Sequence, residues 1–348
     1  MIKDKWNGKR YFVIISYCLT IFVLFAGTAH AREITDMAGR KVIVPDVINR
    51  VVAPSPYGFA MLYSVAPEKI AGLMSPWKEE DKKFVHPAVH DLPVIGRGKD
   101  TDALVKANPD VIIVWGDKHN PIHQASEEKF GKLGIPYVYV TVGDLADLPD
   151  YPAAYAFLGD LLGKQDHTAK EAAYCRRTLD EVAATMKDIP RNERPRVYLA
   201  EGPDGLKTEC DDSLHVHLLR LAGDVNVHRC HTSCHVGMEP VTLEQVVLYN
   251  PDVILVQDKG FFDKVSHDPA WSGIKAVKEG RVYLIPKVPF NWFDRPPSFM
   301  RILGLKWVMS CLYPKQYKVD LIRETQAFYR LFLGVTLSAD DAAKIISP

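Results

Sequence analysis

Apolar residues in this chain come in short unbroken runs rather than in alternation, and several runs directly follow a stretch with helical spacing. Val111-Ile112-Ile113-Val114 and Val253-Ile254-Leu255-Val256 are the clearest. Similar runs recur at Ile48–Val52, Lys69–Leu73, Tyr137–Val140, Arg196–Ala200 and Arg281–Ile285. A strand that is apolar on both sides has both faces covered, the situation of a parallel sheet sandwiched between helices. Strands of this kind alternating with helical stretches predict an α/β chain with doubly wound, parallel-rich sheets.

One unit occurs twice. Thr101-Asp102-Ala103-Leu104-Val105-Lys106-Ala107-Asn108-Pro109-Asp110 leads into the first of the two clearest runs. Leu243-Glu244-Gln245-Val246-Val247-Leu248-Tyr249-Asn250-Pro251-Asp252 leads into the second. Each reads as a short amphipathic helix, a stop at Asn-Pro-Asp and a buried strand. The repetition predicts two similar lobes. Between them, Tyr151–Leu162 has the spacing of one helix, and Ala169–Met186 is a second, rich in helix formers and closed by Pro190 and Pro195. A helical connection of this kind predicts a stiff hinge.

The N-terminus reads differently. Lys3, Lys5, Lys9 and Arg10 precede an apolar run from Tyr11 to Gly27, followed by Ala29-His30-Ala31. Basic flank, apolar core and small residues at a cut site are a secretory signal peptide, with cleavage expected after Ala31. The run is short for a transmembrane anchor, which needs about 20 residues. Cys18, in Ile-Ser-Tyr-Cys, lacks the small neighbours of a lipid-attachment site. The expected organisation is therefore 1–31 signal peptide, 32–148 first α/β lobe, 149–190 linking helical segment and 191–348 second α/β lobe, with the mature protein in the periplasm. Cleavage removes four of the 43 basic residues and one of the 43 acidic ones, leaving 39 against 42. This near-neutral balance excludes the basic excess of a nucleic-acid binder. About 317 residues remain, more than one core usually serves.

These segments together resemble the helical-backbone periplasmic binding proteins of ABC importers, the group that takes iron-siderophore, cobalamin and molybdate cargo. The resemblance is carried by Ile34-Thr35-Asp36-Met37-Ala38-Gly39-Arg40-Lys41-Val42, Arg50-Val51-Val52-Ala53, both Asn-Pro-Asp-Val units, Leu221-Ala222-Gly223-Asp224-Val225-Asn226-Val227 and Trp271–Ile285. It implies two Rossmann-like lobes joined by one long helix, a ligand cleft between them, and permease and ATPase subunits as partners. In this group an acidic residue in each lobe docks onto the permease. The repeat aligns Asp102 with Glu244 for that role, although Asp102 is one methylene shorter than the usual Glu. A monomer with no resident cofactor is expected.

Cleft residues are sought in the loops after strands. Tyr57, Trp77, Arg97, Trp115, His215, Trp292 and Arg295 are the candidates: aromatic walls for a compact ligand, and guanidinium forks for an oxyanion or a chelate carboxylate. One further stretch stands apart, His228-Arg229-Cys230-His231-Thr232-Ser233-Cys234-His235. Of the twelve histidines in the chain, five fall between positions 215 and 235. Imidazole and thiolate favour zinc, nickel, cobalt or copper, so His228, Cys230, His231, Cys234 and His235 are candidate metal ligands. Other readings stay open: a disulfide of Cys230 with Cys234, or of either with Cys210, a c-type haem site with one residue too many between its cysteines, or surface decoration. Cys175 and Cys311 read as buried packing residues.

The first cargo reading is a transition metal ion or a small nickel, cobalt or iron complex. The alternative is molybdate or tungstate, suggested by the likeness of Asp294-Arg295-Pro296-Pro297-Ser298 and of Glu201-Gly202-Pro203-Asp204-Gly205-Leu206 to the molybdate-binding branch, with cobalamin or haem third. An enzyme is not expected. A zinc hydrolase would have to be built on His231, His235 and Glu239, and neither His-Glu-x-x-His, Gly-x-Ser-x-Gly nor a Walker loop is present.

Overall fold

The computed structural model describes residues 30–97, 100–116, 128–140, 147–223, 225–231 and 237–347. The signal-peptide stretch up to residue 29, and Cys234 and His235 of the metal-ligand candidates, lie outside the described residues. Among those described, no helix is long and apolar enough to cross a membrane.

The first lobe opens with the antiparallel hairpin β1 (Ala31–Thr35) and β2 (Lys41–Pro45). Its turn is built around Asp36, whose buried carboxylate accepts from the backbone N–H groups of Ala38 and Arg40 and from the Arg40 guanidinium. The same carboxylate accepts from Tyr139 N at 3.1 Å, fastening the hairpin to the sheet. The Asp-Met-Ala-Gly-Arg opening is thus a structural clip. The parallel sheet of this lobe has the order β3 (Val51–Val52), β4 (Val111–Trp115), β5 (Tyr137–Val140). Lys69–Leu73 adds only isolated parallel bridges, Ile70 to Val51 and Leu73 to Val94, rather than the full strand its composition predicts. Helix α1 (Pro56–Val65) follows β3, and α2 (Thr101–Ala107) precedes β4.

Two helices then carry the chain across: α3 (Tyr151–Leu162) and the 23-residue α4 (Gln165–Lys187). The second lobe supplies β6 (Val197–Ala200), the short antiparallel pair β7 (Lys207–Thr208) and β8 (Glu239–Pro240), α5 (His217–Leu221), α6 (Leu243–Tyr249), β9 (Val253–Val256), α7 (Lys259–Val265) and β10 (Val282–Leu284). Its parallel sheet is ordered β10-β9-β6. Helices α8 (Arg301–Leu312), α9 (Leu321–Phe328) and α10 (Ala339–Ile346) end the chain.

The repeated unit delivers the central strand of each sheet, and its Asn-Pro-Asp stop has the same mechanics twice. Asn108 and Asn250 end α2 and α6 in the left-handed region, at φ 44° and 40°, a conformation Asn tolerates better than most residues. Asp110 then captures the N–H groups of Asn49 and Arg50 at 2.7 and 2.8 Å, just before β3. Asp252 likewise captures Arg196 N at 2.8 Å, just before β6. Each aspartate therefore sets the register of the neighbouring strand.

The linking helices are packed on both sides. His167 Nε2 lies 3.0 Å from Ser64 O at the end of α1, and Lys306 of α8 bridges to Glu181 at 2.6 Å. Tyr174 stacks edge-on against Phe328 and Phe332 of the C-terminal segment. One continuous apolar cluster runs from the first sheet through α3 and α4 to α8, so the connection is a braced helix and not a flexible tether.

Candidate ligand site

The carboxyl ends of β6, β9 and β10 converge. Glu201 follows β6, Gln257 and Asp258 follow β9, and the loop Lys287–Arg295 follows β10. Together they line a cavity of about 440 Å³. The loop is stiffened internally. Asn291 donates to Gln257 Oε1 at 2.9 Å and accepts from Phe293 N and Asp294 N at 2.8 and 3.1 Å. Trp292 is fully buried with its indole N–H on Val288 O. Helix α8 passes so close that a Cβ on Gly304 would stand 1.7 Å from Trp292 O. The expected role of Trp292 as a ligand contact is therefore corrected: it is the core anchor of the loop, because the loop must be pinned beneath α8.

Arg295 is held at φ 69°, a left-handed backbone that a non-glycine residue adopts only when its surroundings impose it. Its guanidinium forks between Glu201 and Glu209, whose side chains are 2% and 0% exposed while its own is 23% exposed. Glu209 is completed by Ser213 Oγ at 2.7 Å and Met238 N at 2.9 Å. Gly237 is what lets that loop approach, since a Cβ there would lie 2.0 Å from Glu209 Oε2. Behind Arg295, His215 Nδ1 bonds the buried carboxylate of Asp294. Burial disfavours a charged imidazole, but Asp294 overrides it and the His215 pKa rises. Arg301, buried in α8, lies within electrostatic reach of Tyr151, Asp294 and Tyr57.

The polar layer thus sets Arg295, Arg301 and His215 against Glu201, Glu209 and Asp294. In it, burial pushes Glu201 up to about 7; Arg295 pulls it down and the neighbouring Glu209 adds to the rise.

The first lobe brings aromatic groups to this region. Tyr57, at the start of α1, has its ring 4.2 Å from Trp115 and edge-on to Tyr151. Trp77 meets Phe290 of the second-lobe loop at 5.7 Å. Arg97 is exposed, beside residues 98–99, which lie outside the described residues. The structure therefore brings His215 and Arg295 into one layer through Asp294, which His215 bonds, and Tyr57 into electrostatic reach of it through Tyr151 and Arg301. Glu209 and Arg301 were not among the sequence candidates, and Glu201 and Asp294 entered only within the two segments that resemble the molybdate-binding branch. The signal for Glu209 was a second glutamate in the loop directly after a buried strand.

The His/Cys stretch sits apart from Arg295. Cys210 and Cys230 form a disulfide, with Cα atoms 5.0 Å apart, so Cys230 offers no free thiolate while that bond is intact. The pairing realises one of the open alternatives. His228 Nδ1 is 2.8 Å from Tyr249 Oη, and His231 is exposed, 3.2 Å from Asp212. Cys175 and Cys311 are free and buried, as expected of packing residues.

The family model described as "Periplasmic binding protein" matches residues 75–289. The molybdate-binding protein MolA of Haemophilus influenzae is 28% identical over 94% of this chain and 97% of its own length. Among solved structures, an ABC transporter solute binding protein from Sulfurospirillum deleyianum is 36% identical, covering 90% of this chain and 98% of that one, with a TM-score of 0.82. The molybdate-bound structure of the Haemophilus protein superposes with a TM-score of 0.69 at 24% identity, covering 88% and 99%, and supports the fold.

Proposed function

Because the chain belongs to the periplasmic binding protein family and is a solute-binding component of an ABC transporter rather than an enzyme, we propose that its cargo is a small transition-metal oxyanion of the molybdate class, captured at Arg295. This reading takes the molybdate or tungstate alternative in place of the nickel, cobalt or iron species expected first. The observation that carries it is the Arg295 fork, presented at the cavity wall on a strained backbone and preorganised by two buried carboxylates. The likeness to MolA over nearly the whole chain supports it. A nickel, cobalt or iron species taken as a cation is the second reading, favoured by the three buried carboxylates Glu201, Glu209 and Asp294.

The two readings differ in the sign of their pH dependence. In a layer whose charges already balance, an arriving anion is accommodated by protonating Glu201, which then donates a hydrogen bond to it. Burial raises the Glu201 pKa, so the carboxyl holds that proton more readily as pH falls and must take it from solvent as pH rises. Molybdate affinity is therefore expected to fall as pH rises from 6 to 8, and Glu201→Gln should flatten the profile. A cation would need Glu201 ionised and would bind more tightly as pH rises. Calorimetric titration of molybdate, tungstate, sulfate, nickel and ferric citrate at pH 6, 7 and 8 decides between them. Failure of molybdate and tungstate to bind at micromolar concentration, with nickel binding that strengthens at pH 8, sinks the oxyanion reading.

We further propose export with cleavage after Ala31, action as a monomer, and permease docking through Asp102 and Glu244. Tyr57, Trp77 and Trp115 form the aromatic face of the cleft in this reading, with Arg97 at its edge.

A further inference from the structure

The Cys210–Cys230 disulfide does not stand alone. One donor atom from each of Cys210, His228 and Cys230 falls in a group whose members all lie within 4.8 Å of one another. We propose that reduction of this disulfide opens a soft-metal site in which the Cys210 and Cys230 thiolates and the His228 imidazole hold one zinc-class ion, with water in the fourth position. Tetrahedral zinc, with bonds of about 2.3 Å to sulfur and 2.0 Å to nitrogen, needs its donors roughly 3.8 Å apart. An imidazole nitrogen of His228 lies within 4.8 Å of both sulfurs, so a small movement completes the set.

Three features keep the group together when the sulfur–sulfur bond is broken. Cys230 N donates to Asp211 Oδ1 at 3.1 Å, Asp211 is paired with Arg229 at 2.8 Å, and Cys210 O accepts from Ser213 N at 3.0 Å. The backbones of both cysteines are thus held by bonds other than the disulfide. His228 is oriented from outside the group by the Tyr249 hydroxyl on Nδ1, the kind of supporting contact that fixes a ligand ring. Two thiolates and an imidazole select zinc or copper(I) over magnesium and calcium.

The chemistry balances in two steps. A dithiol reductant transfers two electrons and two protons to the disulfide, becoming a disulfide itself and leaving two cysteine thiols. The metal ion then displaces both thiol protons to solvent as it binds. The disulfide therefore acts as a lock on the site, and the oxidised protein holds no ion there. Cys210, His228 and Cys230 do not line the Arg295 cavity, although Cys210 directly follows Glu209.

The test uses the full mature chain in a Cys175→Ala, Cys234→Ala, Cys311→Ala background, which leaves Cys210 and Cys230 as its two cysteines. After reduction with a phosphine, cobalt(II) is titrated in while the thiolate-to-cobalt absorption in the near ultraviolet is followed. Zinc is then added to displace it, and circular dichroism monitors the fold. One cobalt per chain with thiolate absorption, absent before reduction, is the expected result. Cys210→Ser and His228→Ala should each weaken binding at least about 100-fold. His228→Ala keeps the disulfide during folding, so it gives the answer even where Cys210→Ser does not fold. Reduced protein that unfolds, that shows no thiolate band, or whose affinity survives both substitutions overturns the proposal.

Discussion

Replacing Arg295 with alanine is expected to weaken molybdate binding and the fold at the same time. A charge-assisted hydrogen bond contributes about 1.5–3 kcal/mol, so a loss of at least about tenfold in affinity is expected. The stability effect has a different origin. Glu201 and Glu209 are almost wholly buried and share Arg295 as their cation. Removing it leaves two adjacent carboxylates without the cation they pair with directly, a change that costs about 3–5 kcal/mol in a buried pair. Adding Glu201→Gln and Glu209→Gln to the alanine variant should restore much of the stability without restoring binding. Arg295→Lys keeps the charge but loses the fork, and should fall between the two. Calorimetry for affinity and chemical denaturation for stability separate the effects. Wild-type affinity in the alanine variant would place the anion elsewhere.

The fold was largely legible because its signals are local and repeated. The Asn-Pro-Asp stops announce two central strands, and the structure explains why: asparagine closes each helix in the left-handed region, and aspartate grips the backbone just before the neighbouring strand. The linking helix is equally plain, since its helix formers run uninterrupted to Pro190. The site was less legible because its chemistry is made of partners distant in sequence. Arg295 could be singled out as a guanidinium in a loop, but not that Glu201 and Glu209, 94 and 86 residues earlier, would clasp it. Trp292 could not be told from a cleft aromatic, because its burial comes from tertiary packing of residues distant in sequence, with α8 passing its carbonyl at Gly304. The cysteine spacing left several pairings open, and Cys210 lies 20 residues from its partner. Lys69–Leu73 had strand composition, yet it makes only isolated bridges.

The largest effect in cells is expected from reversing two charges that lie far from the ligand cavity. Asp102 and Glu244 are exposed in the first turns of α2 and α6, the two helices of the repeat. Each helix also presents apolar side chains to solvent one turn later: Val105 on α2, 53% exposed, and Val247 and Leu248 on α6, 49% and 81% exposed. An acidic residue beside exposed valine or leucine, repeated in equivalent positions, suits a two-fold symmetric basic partner such as a pair of permease subunits. Favourable placement at a helix start explains the carboxylates alone, and does not explain the exposed apolar residues beside them. Asp102→Lys with Glu244→Lys should abolish uptake of molybdate at low external concentration, because both halves of the docking surface change from attraction to repulsion. Neither residue lines the cavity, so molybdate affinity of the purified double variant should equal that of the wild type. Leu248→Ser should reduce uptake to a lesser degree, with ligand binding again unchanged. Transport at the wild-type rate by the double charge-reversal variant would mean that these carboxylates serve their helix ends and that the permease meets another face.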